Sequence, residues 1–281
     1  MRSRRGTLHG MPRRRAKDTI GTCHLCLREG PLSFEHVPPR SAFNADKVQV
    51  GGLRHWLERD NHGVSLHRAI QQGGVGFSRF CEECNNRTGS WYAGELSGWV
   101  RAAAASIHAL PPVAEMDAQL DDHGVGFRIE GVRPLAFIKQ IVTMVLAVNG
   151  VGFAERHSEL RAFVLERDRT GVPENVQLYL ALYLGPMVRY LGVQGRANPD
   201  TQEAFLISEI AYPPFSYVAS FEERSPLLPA GNVTGFADVP YTTRATVEID
   251  MIVGFGHTPL PADFRTAAQM ERDRAENTAD A

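Results

Sequence analysis

The sequence predicts an α+β fold in two parts, from one apolar run, one alternating run and the placement of the cysteines. Residues 138–148 are nearly all apolar, as in a buried helix. Over 176–184 valine and leucines occupy every second position, as in a half-buried strand. All four cysteines lie in the N-terminal third, in two C-x-x-C pairs. A chain of 281 residues is long enough for two domains.

The N-terminal part is predicted to contain two strands followed by a helix. Strand patterns occupy residues 32–37 and 75–80. From Cys84 the apolar residues recur at helical spacing, until Pro111-Pro112 ends the run. Because glycine lowers helix propensity, we expect a break inside this helix at one of three glycines: Gly89, Gly94 or Gly98.

The C-terminal part is predicted to be a mixed, mostly antiparallel α+β domain. Its buried helix ends at Asn149-Gly150, which we interpret as a glycine C-cap, and a second helix over 160–167 is predicted to be capped by Ser158. Besides 176–184, the strands are predicted at residues 189–193, 204–211, 217–221 and 243–253, with turns at Pro213-Pro214 and 226–231.

These patterns divide the chain into four segments: a basic arm over 1–19, a module over 20–110, an α+β domain of unassigned role over 111–268 and a polar tail over 269–281. The arm is rich in arginine. It is interpreted either as a disordered tail, one that could reflect a start site placed too far upstream, or as an arm that contacts phosphates.

The net charge of −2 excludes a strong overall attraction to nucleic acid or to membranes, so a nucleic-acid surface would have to be a local patch. No apolar run is long enough to span a bilayer, and none follows the basic start as in a secretory signal. We therefore expect a cytoplasmic protein without a membrane partner. In that compartment, paired cysteines more often bind metal than form disulfides.

The two C-x-x-C pairs are the strongest chemical signal. Cys23 and Cys26 form the first, and Cys81 and Cys84 the second. Each spacing turns two thiolates toward one point, so the two pairs together predict a tetrahedral, structural Zn²⁺ site. A redox dithiol or unrelated surface thiols are the alternatives, although a redox site needs only one pair.

Acid–base and metal-binding side chains lie between and beside these pairs. Glu35-His36 ends the first predicted strand, and Asn85 directly follows the last cysteine. Carboxylate and amide oxygens suit a hard cation such as Mg²⁺ or Mn²⁺, and an imidazole can take a proton from water. The pattern predicts a one-metal phosphodiesterase site. Three further histidines (His55, His62 and His67) are interpreted as solvated loop residues.

These residues resemble the HNH endonuclease family, also called ββα-metal or His-Me finger nucleases. The match comprises both cysteine pairs, the Glu35-His36-Val37-x-Pro39 motif and Asn85, over roughly residues 20–92, about a quarter of the chain. The resemblance implies a zinc-stapled, treble-clef-like ββα-metal module. It implies His36 as the general base and Glu35 and Asn85 as ligands of a catalytic Mg²⁺ or Mn²⁺. Restriction, mobile-element and phage-defence roles are common among such proteins.

The family's middle asparagine, which orients the base, has no counterpart just before the second cysteine pair. Gln72, Ser78, a backbone carbonyl or Asn61 from the long loop are the alternatives for that role. Asn86 is a further candidate for support of the site. Arg79 and Arg87 flank it and are candidate phosphate contacts, although either could be an ordinary surface arginine.

The sequence thus predicts a metal-dependent endonuclease that acts on nucleic acid, with double-stranded DNA as the expected partner. One alternative is a non-catalytic zinc module that binds nucleic acid or protein, which would need the cysteines but not Glu35 and His36. Another is a nuclease controlled by a ligand-sensing C-terminal domain. Residues 111–268 contain no recognisable catalytic cluster and could instead mediate homo-oligomer formation.

Overall fold

The predicted α+β class is confirmed. The computed structural model describes residues 19–50, 69–107, 125–183, 188–197, 204–221 and 231–251. Within these ranges the strands form four sheets, and every strand pair is antiparallel. None of the helices in these ranges has the length and apolar content needed to cross a membrane.

The N-terminal elements are two small sheets and one interrupted helix. They comprise β1 (Thr19–Thr22), β2 (Glu29–His36), β3 (Val48–Val50), β4 (Ala69–Gln71), β5 (Gly76–Phe80), α1 (Glu82–Thr88), a π-helical turn (Gly89–Ala93) and α2 (Gly94–Ile107). Three strands pair in the order β1-β2-β5, and β3 pairs with β4. A π-helical turn begins at Gly89, and the backbone stays right-handed helical at Gly89 and Gly94, so the helix changes its hydrogen-bond pattern at a glycine but does not end there.

The C-terminal elements surround one long helix. They comprise β6 (Val125–Val132), α3 (Pro134–Val148), α4 (Val151–Arg156), α5 (Ser158–Leu165), β7 (Gln177–Leu182), β8 (Arg189–Ala197), β9 (Ala204–Tyr212), β10 (Phe215–Ser220), β11 (Gly231–Asn232), a 3-10 turn (Thr234–Asp238) and β12 (Ala245–Met251). Five strands form one sheet in the order β11-β7-β10-β9-β8, and β12 pairs with β6.

Helix α3 lies at the centre of the molecule, because every residue from Pro134 to Ala147 is buried. It contacts β5 and the π-helical turn as well as β8 and β9. One hydrophobic core therefore includes side chains from both predicted parts. The single charged residue in this run, Lys139, donates from Nζ to the carbonyl oxygens of Phe163 and Glu166 at the end of α5. Burial lowers the pKa of Lys139 to about 8.

Three details of the predicted C-terminal elements are wrong. Gly150 has φ −74° and precedes α4, so Asn149-Gly150 links two helices and is not a left-handed C-cap. Helix α5 has His157 at its N-cap and no side-chain cap, so Ser158 lies inside the helix. Strand β7 is buried on both faces from Leu178 onward and not half-buried, because the far face of its sheet is covered too.

Several predictions lie outside the described residues. These are the basic arm up to residue 18, the loop with its three histidines and Asn61, the Pro111-Pro112 boundary, most of the 226–231 turn and the polar tail. The division into two domains stays a prediction. The other predicted strands overlap observed ones, although β2 begins three residues before its predicted start and β8 ends four residues after its predicted end.

Candidate metal centre and candidate active site

The four cysteines form one cluster in which all Sγ atoms lie within 4.8 Å of one another. The Sγ atoms of Cys26 and Cys81 are 3.8 Å apart. A tetrahedral shell with Zn–S bonds of about 2.3 Å has sulfur–sulfur edges of about 3.8 Å, so the distance between Cys26 Sγ and Cys81 Sγ equals one edge of such a shell. The cluster can therefore hold a metal ion such as zinc.

Local backbone geometry turns each pair of thiols inward. After the first pair, Leu27 adopts the left-handed region at φ 58°, and its N–H donates to the Cys23 carbonyl at 2.8 Å. In the second pair, Cys81 is the N-cap of α1 and Cys84 lies in its first turn. The first pair is also fixed to the central helix, because His24 Nδ1 donates to the Leu146 carbonyl at 2.9 Å.

The thiols perturb one another because they are so close. A hydrogen bond from Cys84 lowers the pKa of Cys23 to about 4, and the same contact raises the pKa of Cys84. Burial raises the pKa of Cys81. Four thiolates at these distances repel one another unless a cation lies among them. Arg28 supplies some positive charge, since its Nε donates to Cys26 Sγ at 3.4 Å.

Strands β2 and β5 place the cysteine cluster and the Glu35-His36 pair at opposite ends. Ser33 pairs with Phe80, which precedes Cys81, whereas His36 pairs with Gly76. Each strand residue advances about 3.3 Å, so the two ends lie roughly 13 Å apart. Helix α1 runs from the cluster toward Gly89. Strands β2 and β5 together therefore carry the cysteine cluster at one end and Glu35-His36 at the other.

The Glu35 carboxyl is buried, with 9% of the residue exposed. Burial raises the pKa of Glu35 to about 7, and no charged or hydrogen-bonding partner from the described residues offsets this. A buried carboxyl without a partner is costly in its ionised form. Such a group is suited to binding a cation.

The His36 ring is held by the backbone. Its Nε2 lies 3.0 Å from the Gly73 carbonyl oxygen, which can only accept a hydrogen bond. Nε2 therefore carries the proton, and Nδ1 is the nitrogen that can accept one in the neutral ring. Of the three alternatives for support of His36 that fall within the described residues, a backbone carbonyl is the one that lies against it, and Asn61 lies outside those residues. Gln72 is exposed, and Ser78 pairs with Phe34.

Glu35 and His36 both line an open cavity of about 490 Å³. Its walls are the end of β2, the loop 39–45 and the π-helical turn, and they include Phe34, Arg40, Gly89 and Ala93. The loop is fixed to α2, because Ser41 Oγ lies 2.6 Å from Ser97 Oγ and the Ser41 carbonyl accepts from Arg101. The volume is in the range of small-ligand sites.

Asn85 lies beside this cavity but does not line it. Its Nδ2 donates to Ser33 Oγ at 2.9 Å and to the Phe34 carbonyl at 3.2 Å. The amide nitrogen is therefore occupied by hydrogen bonds to β2, and the amide oxygen Oδ1 is the atom that could bind a cation. The three predicted catalytic residues are therefore near one another along β2 and α1, and two of them share the cavity.

Asn44 supports the cavity and was missed by the sequence analysis. This fully buried residue donates from Nδ2 to the Pro38 and Val75 carbonyls at 2.7 Å, and its Oδ1 accepts from the Val75 N–H at 2.7 Å. It thus ties the loop after His36 to the backbone that begins β5. No spacing rule marks Asn44, because it lies far along the chain from the second cysteine pair.

Two glycines allow the backbone before and at the start of β5 to lie close to Asn44 and to Glu35. Gly74 has φ +100°, and an added Cβ would lie 2.2 Å from the Asn44 carbonyl oxygen. At Gly76 a Cβ would lie 1.9 Å from the Glu35 carbonyl oxygen. Larger residues at these positions would displace the strand end that carries Glu35 and His36.

The five-stranded sheet also holds the cavity loop. Tyr190 on β8 donates its hydroxyl to the Val37 carbonyl at 2.5 Å, and Tyr212 on β9 donates to the Phe43 carbonyl at 3.1 Å. The ring of Tyr190 packs edge-on against Phe77 at 5.4 Å. The C-terminal part therefore positions the loop that follows His36.

The two predicted phosphate contacts lie away from the cavity. Arg87 pairs with Glu83 at 2.5 Å and lies over the Trp91 ring. Arg79 occupies a bulge in β5, and its carbonyl accepts from the His24 N–H near the cysteine cluster. Arg40, which the sequence analysis did not select, is exposed and lines the cavity. Asn86 is exposed on α1.

Comparisons with family models, with curated proteins and with solved structures gave no match for this chain.

Proposed function

We propose that this chain is a metal-dependent endonuclease of the HNH kind that hydrolyses phosphodiester bonds in nucleic acid, with DNA as the first substrate to test. The order of elements supports this proposal: a strand ending in Glu35-His36, an antiparallel strand, and a helix that starts at the second cysteine pair. This strand–strand–helix order is the one that the sequence resemblance implies.

The observation that carries the proposal is the pairing of His36 with Glu35 in one open cavity. The Gly73 carbonyl holds the His36 proton on Nε2, which leaves Nδ1 as a base. Glu35 is a buried carboxyl without a partner among the described residues. A base and a cation ligand at one recess suit the metal-assisted hydrolysis of a phosphodiester.

Glu35 and Asn85 are the residues that would hold the catalytic cation, through a carboxylate oxygen and the amide Oδ1. Both are hard oxygen donors, as Mg²⁺ and Mn²⁺ prefer. When bound, the cation would neutralise charge on the phosphate and on the departing 3′ oxygen. The raised pKa of Glu35 is consistent with this role, since a nearby cation would favour the ionised carboxyl.

The chain's own part in the reaction is proton transfer and positioning. Nδ1 of His36 takes a proton from a water molecule, and the water oxygen forms a bond to phosphorus as the bond to the 3′ oxygen breaks. The 3′ oxygen leaves with a proton taken from solvent. Asn44, Gly73 and the two tyrosine hydroxyls keep His36 and its loop in place. The products carry a 5′ phosphate and a 3′ hydroxyl.

We also propose that zinc is the metal of the cysteine cluster and that its role is structural. The cluster supplies four sulfur ligands, so no coordination position is left for water or substrate. It also lies at the opposite end of the β2–β5 pair from His36.

The test is cleavage of plasmid and single-stranded DNA by the zinc-loaded chain with Mg²⁺ or Mn²⁺, for the wild type and His36→Ala. We expect the variant to lose at least about a hundredfold in rate, the range for removal of a general base. His157→Ala is the matched control: this partly buried histidine contacts Phe153 and Phe221, away from the cavity.

Equal rates for the wild type and His36→Ala would refute the nuclease assignment to this site. DNA binding without cleavage by either protein would instead favour a non-catalytic zinc module.

A further inference from the structure

The cavity wall carries an exposed aromatic ring beside the proposed base. Phe34 is 43% exposed although it lies on a strand whose neighbour Glu35 is buried. Its ring meets the His36 ring edge-on, with centroids 4.9 Å apart and planes at 89°. The contact leaves much of the Phe34 ring open to solvent. A solvent-facing aromatic surface is what base stacking requires.

Positive charge lies at the same opening. Arg40 lines the cavity, and Arg101 donates from Nε and Nη2 to the carbonyl of Ser41, another lining residue. Both arginines are exposed, and neither forms an ion pair with any residue that the structure describes. Their charges are therefore available to phosphates on either side of a bound nucleotide.

The opposite wall is made of small residues. Gly89 and Ala93 lie on the π-helical turn, and an added Cβ at Gly89 would meet nothing within 4 Å. A gap thus separates this turn from Phe34 and His36. A cavity of about 490 Å³ is a recess of small-ligand size, with half-buried His36 in its wall. It has room for a nucleotide, whereas a stacked base pair cannot offer a free face to Phe34.

We propose that the cavity takes an unpaired nucleotide, whose base stacks on Phe34 between β2 and the π-helical turn while Arg40 and Arg101 bind the neighbouring phosphates. This inference rests on the proposed function and narrows its substrate to single-stranded nucleic acid or to a nucleotide turned out of a duplex. The duplex DNA expected from the sequence would have to open at the cleavage point.

Binding of three labelled strands to the zinc-loaded wild type, without added Mg²⁺ or Mn²⁺, tests this. They are a single-stranded thymidine 12-mer, an abasic 12-mer with the same phosphates, and a thymidine–adenine duplex. We expect the thymidine strand to bind at least about tenfold more tightly than the abasic strand, a gain typical of base stacking on an aromatic side chain. Phe34→Leu, which keeps an apolar side chain without a ring, should remove that difference.

Gly89→Leu should also remove the difference by filling the gap. Gly98→Leu is its matched control, because Gly98 is an exposed helical glycine on α2, has nothing within 4 Å of an added Cβ and does not line the cavity. Equal affinity of the wild type for thymidine and abasic strands would overturn the inference. So would a thymidine preference that survives both Phe34→Leu and Gly89→Leu, or tighter binding of the duplex than of the single strand.

A different result would refute the proposed function. If it is wrong, no DNA is cleaved in a way that depends on His36, whatever the binding data show. His36-dependent cleavage of duplex DNA together with unchanged binding in Phe34→Leu would overturn the nucleotide inference alone.

Discussion

At one end of the β2–β5 pair, two C-x-x-C turns bring four thiols together. At the other end, the Gly73 carbonyl holds the His36 ring, and Asn44 ties the loop after β2 to Val75, which precedes β5. The first end is a set of ligands that can hold its own metal. The second is a cavity whose geometry is set by its surroundings, including two tyrosines of the C-terminal sheet.

Under the proposed function, the cysteine end determines the stability of the N-terminal elements and the cavity end determines the rate of cleavage. Loss of a metal ligand should unfold the N-terminal elements and abolish activity as a consequence. Loss of a cavity residue should change the rate while the metal stays bound. Four predictions test this contrast.

The largest effect is expected for Cys81→Ser. Structural zinc stabilises small modules by about 10 kcal/mol or more, so loss of one thiolate should cost more than about 5 kcal/mol and leave this region unfolded. Metal analysis and far-UV circular dichroism measure the outcome. A variant that stays folded without bound metal would show that the cluster is not structural.

Asn44→Ala should lower the free energy of unfolding by about 3 kcal/mol, because it leaves the Pro38 carbonyl and the Val75 N–H without this partner and removes one of the two hydrogen bonds to the Val75 carbonyl. The cleavage rate should fall as well, since the Gly73 carbonyl that accepts from His36 lies two residues before Val75, which would lose the support of Asn44. Urea denaturation and metal analysis measure this. Asn86→Ala, on the exposed side of α1, is the stability control, with an expected change below about 0.5 kcal/mol. A loss of metal in Asn44→Ala would contradict the separation of the two ends.

Glu35→Gln should be more stable than the wild type above pH 7 in the absence of Mg²⁺ or Mn²⁺. The Glu35 pKa is raised from 4.5 to about 7 on folding. The stability of the folded wild type that comes from the neutral carboxyl is therefore fully present below about pH 4.5, and it is lost as pH rises through 7. The loss amounts to up to about 3 kcal/mol.

Urea denaturation of both proteins between pH 4.5 and 8 measures the difference, in which the pH dependence of the cysteines cancels. Added Mn²⁺ should stabilise only the wild type. Parallel pH curves for the two proteins would mean that Glu35 is not buried as described.

The smallest effect is expected for Tyr212→Phe, which removes one hydrogen bond to the Phe43 carbonyl. We expect a loss of about 1 kcal/mol in stability and a fall of a few fold in cleavage rate, with the metal content unchanged. An unchanged rate would show that the C-terminal sheet does not position the cavity loop.

The same contrast explains how much the sequence could predict. The cysteine cluster is a spacing pattern, and the α+β class follows from apolar periodicity, so both were predictable. The helix changes its hydrogen-bond pattern at Gly89, one of the three glycines that weaken it, although it does not break there. By contrast, Asn44 and the Gly73 carbonyl contact distant parts of the chain, and Arg40 lines a cavity that is formed by segments distant in the sequence, so no local pattern marks them. The burial of both faces of β7 and the missing glycine cap at Gly150 likewise depend on tertiary packing.

The most direct test of the account is metal content and DNA cleavage measured on the same preparations of the wild type, His36→Ala and Cys81→Ser. We expect about one zinc ion per chain in the first two proteins and none in the third. We expect cleavage by the wild type alone. Cleavage by His36→Ala at the wild-type rate, or loss of zinc from that variant, would contradict it.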